Sequence, residues 1–170
     1  MITRRNFLKA GAAVAALSVV PNGFASILAK KEKAIGVQLY SVRDDLKTDF
    51  DGTMKALVDI GYKRMEAAGY RDGKFYGKSP AEMKKYLADL GARMVGSHTG
   101  SGLLAEGDTK GWDFWKKNAA DTAEVGCKWI VQAGYPSKDI KSLSDVKRLA
   151  DQFNKCGEIA KANGLRFAFH

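Results

Sequence analysis

Two histidines occur in the chain, His98 and His170, and each closes an apolar run, RMVGSH and LRFAFH. Imidazole is the side chain best suited to ligate a metal or shuttle a proton near neutral pH. A carboxylate stands in a similar setting, Glu66 within RMEAAG. An unpaired carboxylate there is costly, so Glu66 needs a substrate hydroxyl, a metal or a cation such as Arg43 or Arg71. Gln38 and Tyr40 end the run AIGVQLY, and Gln132 and Tyr135 follow KWIV. The segment Gly96-Ser97-His98-Thr99-Gly100-Ser101-Gly102 could wrap a sugar or phosphate with its amides, although glycine and serine also serve any flexible loop. Trp112 and Phe114 open a helical stretch and offer a ring face for stacking on a sugar. Trp115, at helical spacing with Ala119 and Ala123, reads as core. On these grounds Glu66 and His170 are the catalytic candidates, and Gln38, Tyr40, His98, Gln132 and Trp112 the substrate-binding ones.

Such residues act together only if something brings them to one place, and an internal repeat does so. IGYKRMEAAG, LGARMVGSHTG, VGCKWIVQAG and NGLRFAFH each hold a glycine (Gly61, Gly91, Gly126, Gly164), one residue, a cation and an apolar run. A helical pattern precedes each glycine: Phe50, Met54, Leu57 and Val58, for example, then Met83, Leu87 and Leu90. The glycines therefore read as helix C-caps at positive φ. Ser79-Pro80-Ala81-Glu82 is a capping box, and Ser144 is expected to cap the fourth helix. With residues 34–40 as a first strand, five strands alternate with four helices, which implies a parallel sheet with helices outside. The turn YSVRDDLKTD lacks a glycine-rich phosphate loop, which weakens a dinucleotide-binding sheet and favours a (β/α)8 TIM barrel, with the polar strand ends at its C-terminal mouth. A closed barrel takes about 250 residues, whereas about 145 follow the leader. The expectation is a truncated barrel, a fragment or an interrupted reading frame. Val37, Phe167 and Phe169 would then be exposed on the inner faces of the first and last strands, and residues 26–170 alone would be poorly stable.

Residues 1–25 have a basic start (Arg4, Arg5, Lys9), an uncharged run to Val20, and small residues before a cleavage point expected after Ala25, or else after Ala29. Thr3-Arg4-Arg5-Asn6-Phe7-Leu8-Lys9 has the form of a twin-arginine signal, which implies export and a periplasmic or secreted protein. The run is too short for a stable membrane anchor. Residues 26–33 read as a linker and 34–170 as the domain. Removing three leader cations lowers the net charge from +9 to +6. The cations that remain are interleaved with acids, which argues against a nucleic-acid face. Cys127 and Cys156 read as small buried side chains rather than a disulfide.

IGVQLYSVRDDL, IGYKRMEAAGY, VGSHTG and NGLRFAFH together resemble the sugar phosphate isomerase/epimerase family, the xylose isomerase-like TIM barrels. The resemblance spans the mature chain and the first five-eighths of the family's barrel. It implies a divalent metal (Mn, Co, Mg or Zn) and proton transfer between sugar carbons through an enediol or enediolate. It also implies that Glu66 and His98 are substrate-side residues and that His170 opens a His-Asn-His segment, with the main metal ligands on later strands. The partners implied are a small sugar and the export machinery, with an oligomer possible. A keto-sugar or inosose dehydratase or lyase, and a non-catalytic carbohydrate-binding protein, are the alternatives. The DNA-repair endonucleases of the superfamily fit poorly with export.

Overall fold

The computed structural model describes residues 35–134 and 136–170; residues 1–34, which include the expected leader and linker, and Tyr135 lie outside them. Strand β1 (Gly36–Gln38) runs into a 3-10 turn (Leu39–Val42), then α1 (Arg43–Thr48) and α2 (Phe50–Ile60). Next come β2 (Arg64–Ala67), the short strands β3 (Tyr70–Arg71) and β4 (Lys74–Phe75), α3 (Pro80–Asp89) and β5 (Arg93–Thr99). After these follow α4 (Thr109–Glu124), β6 (Trp129–Gln132), α5 (Leu143–Ala162) and β7 (Arg166–Phe169). β1, β2, β5, β6 and β7 form one parallel sheet in that order. These are five strands of the (β/α)8 barrel architecture, each joined to the next through helix.

Local chemistry explains most boundaries. Gly61, Gly91, Gly126 and Gly164 all sit at positive φ, between 71° and 115°, as the repeat requires. Ser79 accepts from the Glu82 amide while Glu82 accepts from the Ser79 amide, completing the capping box. The first helical stretch departs from expectation. It breaks at Asp49, whose extended backbone and side-chain bond to the Gly52 amide start α2 afresh, so the described residues hold five α-helices where four were expected. α5 is capped by Ser142 rather than Ser144; the Ser142 hydroxyl accepts from the Asp145 amide, and Ser144 bonds only to that hydroxyl. The β3–β4 hairpin, unforeseen, turns on Asp72-Gly73, both at positive φ, the pair that such a tight turn selects.

The helices cover one face of the sheet. Met54, Leu57 and Val58 of α2, Met83 and Leu87 of α3, Trp115 and Ala119 of α4, and Cys156 and Ala160 of α5 pack with Met65, Ala67, Met94 and Ile130 of the strands. Phe167 belongs to this side. Its ring meets Trp115 edge-on, and Phe153 of α5 stacks on both Phe167 and Phe169. Val37, paired with Met65, faces the same way. The expectation that these three line the inner face is thus corrected: alternation along each strand sends them to the helices and sends Gln38, Glu66 and His170 to the other side.

One irregularity decides where His98 lies. Met65 pairs with Met94, but its neighbour Glu66 pairs with Gly96, so Val95 is an extra residue in β5. Paired residues share a face, and a bulge of this kind reverses the phase of everything beyond it. Met94 therefore stays with the helices, while Gly96 and His98 turn towards Glu66. Were Val95 in regular alternation rather than bulged, His98 would share the face of Met94 and point into the helix-side core.

No helix among the described residues is long and apolar enough to cross a membrane. Cys127 and Cys156 are free and buried, and desolvation pushes each thiol up to about 12. A raised folded-state pKa contributes stability below the unfolded value and loses it above. Unfolding free energy should therefore fall as pH rises from about 9 towards 12, and both thiols should resist alkylation in the native protein at pH 8 yet react at once in denaturant. A disulfide, or rapid native labelling, would contradict this burial.

Candidate functional site

All five parallel strands end on one rim, and the chemistry-bearing side chains collect there. Gln38 closes β1, Glu66 sits near the end of β2, His98 near the end of β5, and His170 directly follows β7. Glu66 Oε2 lies 3.4 Å from His98 Nε2, longer than a well-made hydrogen bond. Gln38 Nε2 stands 3.0 Å from His98 Nδ1 on the ring's opposite edge. The His170 ring packs 5.2 Å, centroid to centroid, from that of His98. The backbone helps fix His170: its amide donates to the Gln132 carbonyl and its carbonyl accepts from the Gly134 amide. Glu66 thus finds a histidine rather than Arg43, which pairs with Asp44 and lies over the Tyr40 ring.

Gly96 makes the carboxylate's position possible. A Cβ there would stand 3.1 Å from Glu66 Oε1 and 3.6 Å from Trp129 Cβ, so the bare backbone leaves room for Glu66 to lie across it towards His98.

Beside this cluster opens a cavity of about 1180 Å³ lined by Tyr40, His98 and Gln132 among the expected residues. Tyr40 is 58% exposed at its edge. Gln132 is only 2% exposed, and its amide is fully engaged: Oε1 accepts from the Ser101 amide, and Nε2 donates to the Ser101 and Gly134 carbonyls. It therefore acts here as a strut holding the loop after β5. Trp112, proposed for substrate, is absent from this cavity's lining. It lies under Lys155, whose Nζ is 4.0 Å above its ring, beside a separate cavity of about 350 Å³. Phe114 lines the main cavity instead, and Trp115 is core as expected. Of the segment Gly96–Gly102, residues up to Thr99 belong to β5, and only Gly100, Ser101 and Gly102 form a loop wall.

That wall is stiffly held. The Trp115 indole and the Gln152 amide both donate to Ser101 Oγ, Gln152 also donates to the Gly102 carbonyl, and its oxygen accepts from the Leu104 amide. Across the mouth, Tyr70 donates to Asp121 at 2.6 Å, and Lys117 pairs with the same carboxylate at 2.8 Å. Desolvation, with the Asp121 carboxylate as a second cause, pushes the Tyr70 phenol well above its ordinary range. The Asp72-Gly73 turn was the available sequence signal that Tyr70 would reach this place.

Among the described residues no three or more His, Cys, Asp or Glu side chains are arranged to hold a metal. Glu66 and His98 are two donors, and Gln38 occupies the other ring nitrogen of His98. This set does not fit a resident metal, and no step below is routed through one.

Comparison with known proteins agrees with the barrel fold. Residues 54–170 match the family described as xylose isomerase-like TIM barrel, and residues 1–21 match a twin-arginine translocation pathway signal sequence. A sugar phosphate isomerase/epimerase from Parabacteroides distasonis superposes with a TM-score of 0.73 at 32% identity, over 84% of this chain and 52% of that one. A second from the same organism gives 0.67 at 28% identity, over 81% and 54%. The IolI protein with a bound zinc atom gives 0.53 at 15% identity, over 71% and 45%, a likeness of fold alone. The chain spans about half the length of these relatives. No curated protein matches it.

Gly96→Ala tests the close approach. The new methyl should displace the Glu66 carboxylate and cost about 1–3 kcal/mol, read as a lower urea midpoint. Adding Glu66→Ala should recover most of that loss in a double-mutant cycle; additive losses would mean that Gly96 does not make room for Glu66.

Proposed function

Since the chain belongs to the xylose isomerase-like TIM barrel family and carries a twin-arginine export signal, we propose that it is part of an exported isomerase or epimerase acting on a sugar or sugar derivative. The observation that carries this reading is the meeting of Glu66 and His98, with His170 alongside, at the ends of neighbouring parallel strands. Carboxylate and imidazole are what proton transfer beside a carbonyl requires.

In the proposed reaction, a sugar enters from the cavity with its carbonyl oxygen towards His98 and an adjacent C–H towards Glu66. Glu66 removes the proton from carbon, and the electron pair becomes the double bond of an enediolate. The Nε2–H edge of His98 steadies the developing negative oxygen, as a neutral imidazole donor does in other enolising sites. Return of that proton by Glu66 to the neighbouring carbon, as the hydroxyl proton there passes to the enediolate oxygen, moves the carbonyl; inversion of the first carbon instead takes a proton from water or an acid on the opposite face of the enediolate. His170 packs against the second side of the His98 ring and limits its rotation. Tyr40 and the Ser101 wall bound the sugar, and Gln132 holds that wall. The two Parabacteroides distasonis proteins support the substrate class by their names.

Enolisation leaves a direct trace. The exported protein, purified from the periplasm and incubated in D2O with a panel of ketoses and aldoses, should place deuterium on the carbon beside the carbonyl of at least one sugar, followed by proton NMR. Glu66→Gln, which keeps the shape and removes the base, should slow this by about 10²–10⁴-fold with little change in sugar binding. Exchange undiminished in Glu66→Gln, or absent with every sugar, would overturn the proposal.

A further inference from the structure

Gln38 has an amide whose two ends are both assigned. The Tyr40 backbone N–H, which can only donate, meets Gln38 Oε1 at 2.7 Å. This bond caps the 3-10 turn Leu39–Val42 and leaves no freedom to exchange the amide's oxygen and nitrogen. The other end, Nε2, carries hydrogens only and faces His98 Nδ1 at 3.0 Å. For that contact to be a hydrogen bond, Nδ1 must accept, so it holds no proton. In a neutral ring the proton then sits on Nε2, the nitrogen facing Glu66 at 3.4 Å.

We infer that Gln38 is a positioning residue that locks His98 as the neutral, Nε2-protonated tautomer, presenting an N–H donor to the cavity side and to Glu66. An imidazolium would bring two donors face to face at Nδ1. Relieving that clash by turning the amide would leave the Tyr40 N–H facing an NH2 group, so the turn's cap and the ring's protonation are tied through one side chain. Among the described residues, the titratable groups recorded against the His98 ring are Glu66 from β2 and His170 after β7. β6 presents Val131 beside it in register. In the enolisation reading, which this inference extends, the lock makes His98 a hydrogen-bond donor and leaves Glu66 as the proton carrier.

The test needs no substrate, so its failure is separable from failure of the enolisation reading. The full chain, labelled with 15N-histidine, is studied by two-bond proton–nitrogen correlation at mildly alkaline pH. Two histidines give two patterns, and His170→Gln leaves that of His98 alone. The expected pattern is an unprotonated Nδ1 with a protonated Nε2. Gln38→Glu, whose carboxylate accepts from both Tyr40 and His98, should place a proton on Nδ1 and shift the Nδ1-H to Nε2-H ratio by at least about tenfold. Gln38→Leu, which offers neither group, should give a mixture of tautomers. An Nδ1–H ring in the unmodified site, or a pattern unchanged in both folded variants, would overturn the inference. Unchanged far-ultraviolet circular dichroism checks that each variant is folded.

Discussion

Parallel pairing in register is the constraint on which the site depends. It brings five strand ends to one rim, and alternation then sorts every side chain to the helix side or the other side. Left to itself that sorting would misplace His98, because in β5 the residues in step with Met94 would all turn towards the helices. The extra residue Val95 reverses the phase between Met94 and Gly96. Taking Val95 out of the alternation thus lets β5 contribute a core methionine at one end and a rim histidine at the other.

The polar groups of the rim divide by whether their bonds are already spent. Gln132 and Gln152 use both ends of their amides on the loop after β5, and Asn118, Thr99 and Thr122 bond among themselves in the helix-side core. Such groups are buried safely because they are satisfied. Glu66 and the Nε2 edge of His98 approach each other at 3.4 Å and keep capacity for a third party. Free capacity, more than residue type, separates the groups able to act on a ligand from those that hold the frame.

This distinction also explains how much the sequence could tell. Strand ends, most helix ends and the places of Glu66 and His170 at strand tips follow from periodicity and from glycines that must reach positive φ, both local properties, whereas the face that His98 takes does not. The expected roles of Gln132 and Trp112 rested on residue type at a strand or helix end, and type does not say which partners a side chain meets. Gln132 is spent on Ser101, and Trp112 lies across α4 under Lys155. The bulge at Val95 leaves no mark in RMVGSHT, since its evidence is the pairing with β2. The faces of Phe167 and Phe169 were misjudged for a related reason. Alternation shows that two residues share a face, while only the neighbouring helix, here α5 with Phe153, says which face it is.

Ser97 carries that logic furthest. By residue type it belongs to a glycine-serine segment fit to wrap a ligand, and it adjoins His98. Yet it lies one step out of phase with His98, is completely buried on the helix side opposite Ala67, and its hydroxyl has no hydrogen-bond partner among the described residues. A buried hydroxyl without a partner costs free energy, so its neighbour's role does not pass to it along the chain. Adjacent residues in this strand face different worlds, one the packed helix side and the other the open rim beside Glu66. Phase counted from the bulge, and not distance along the sequence, is therefore the coordinate that assigns each rim residue to one or the other.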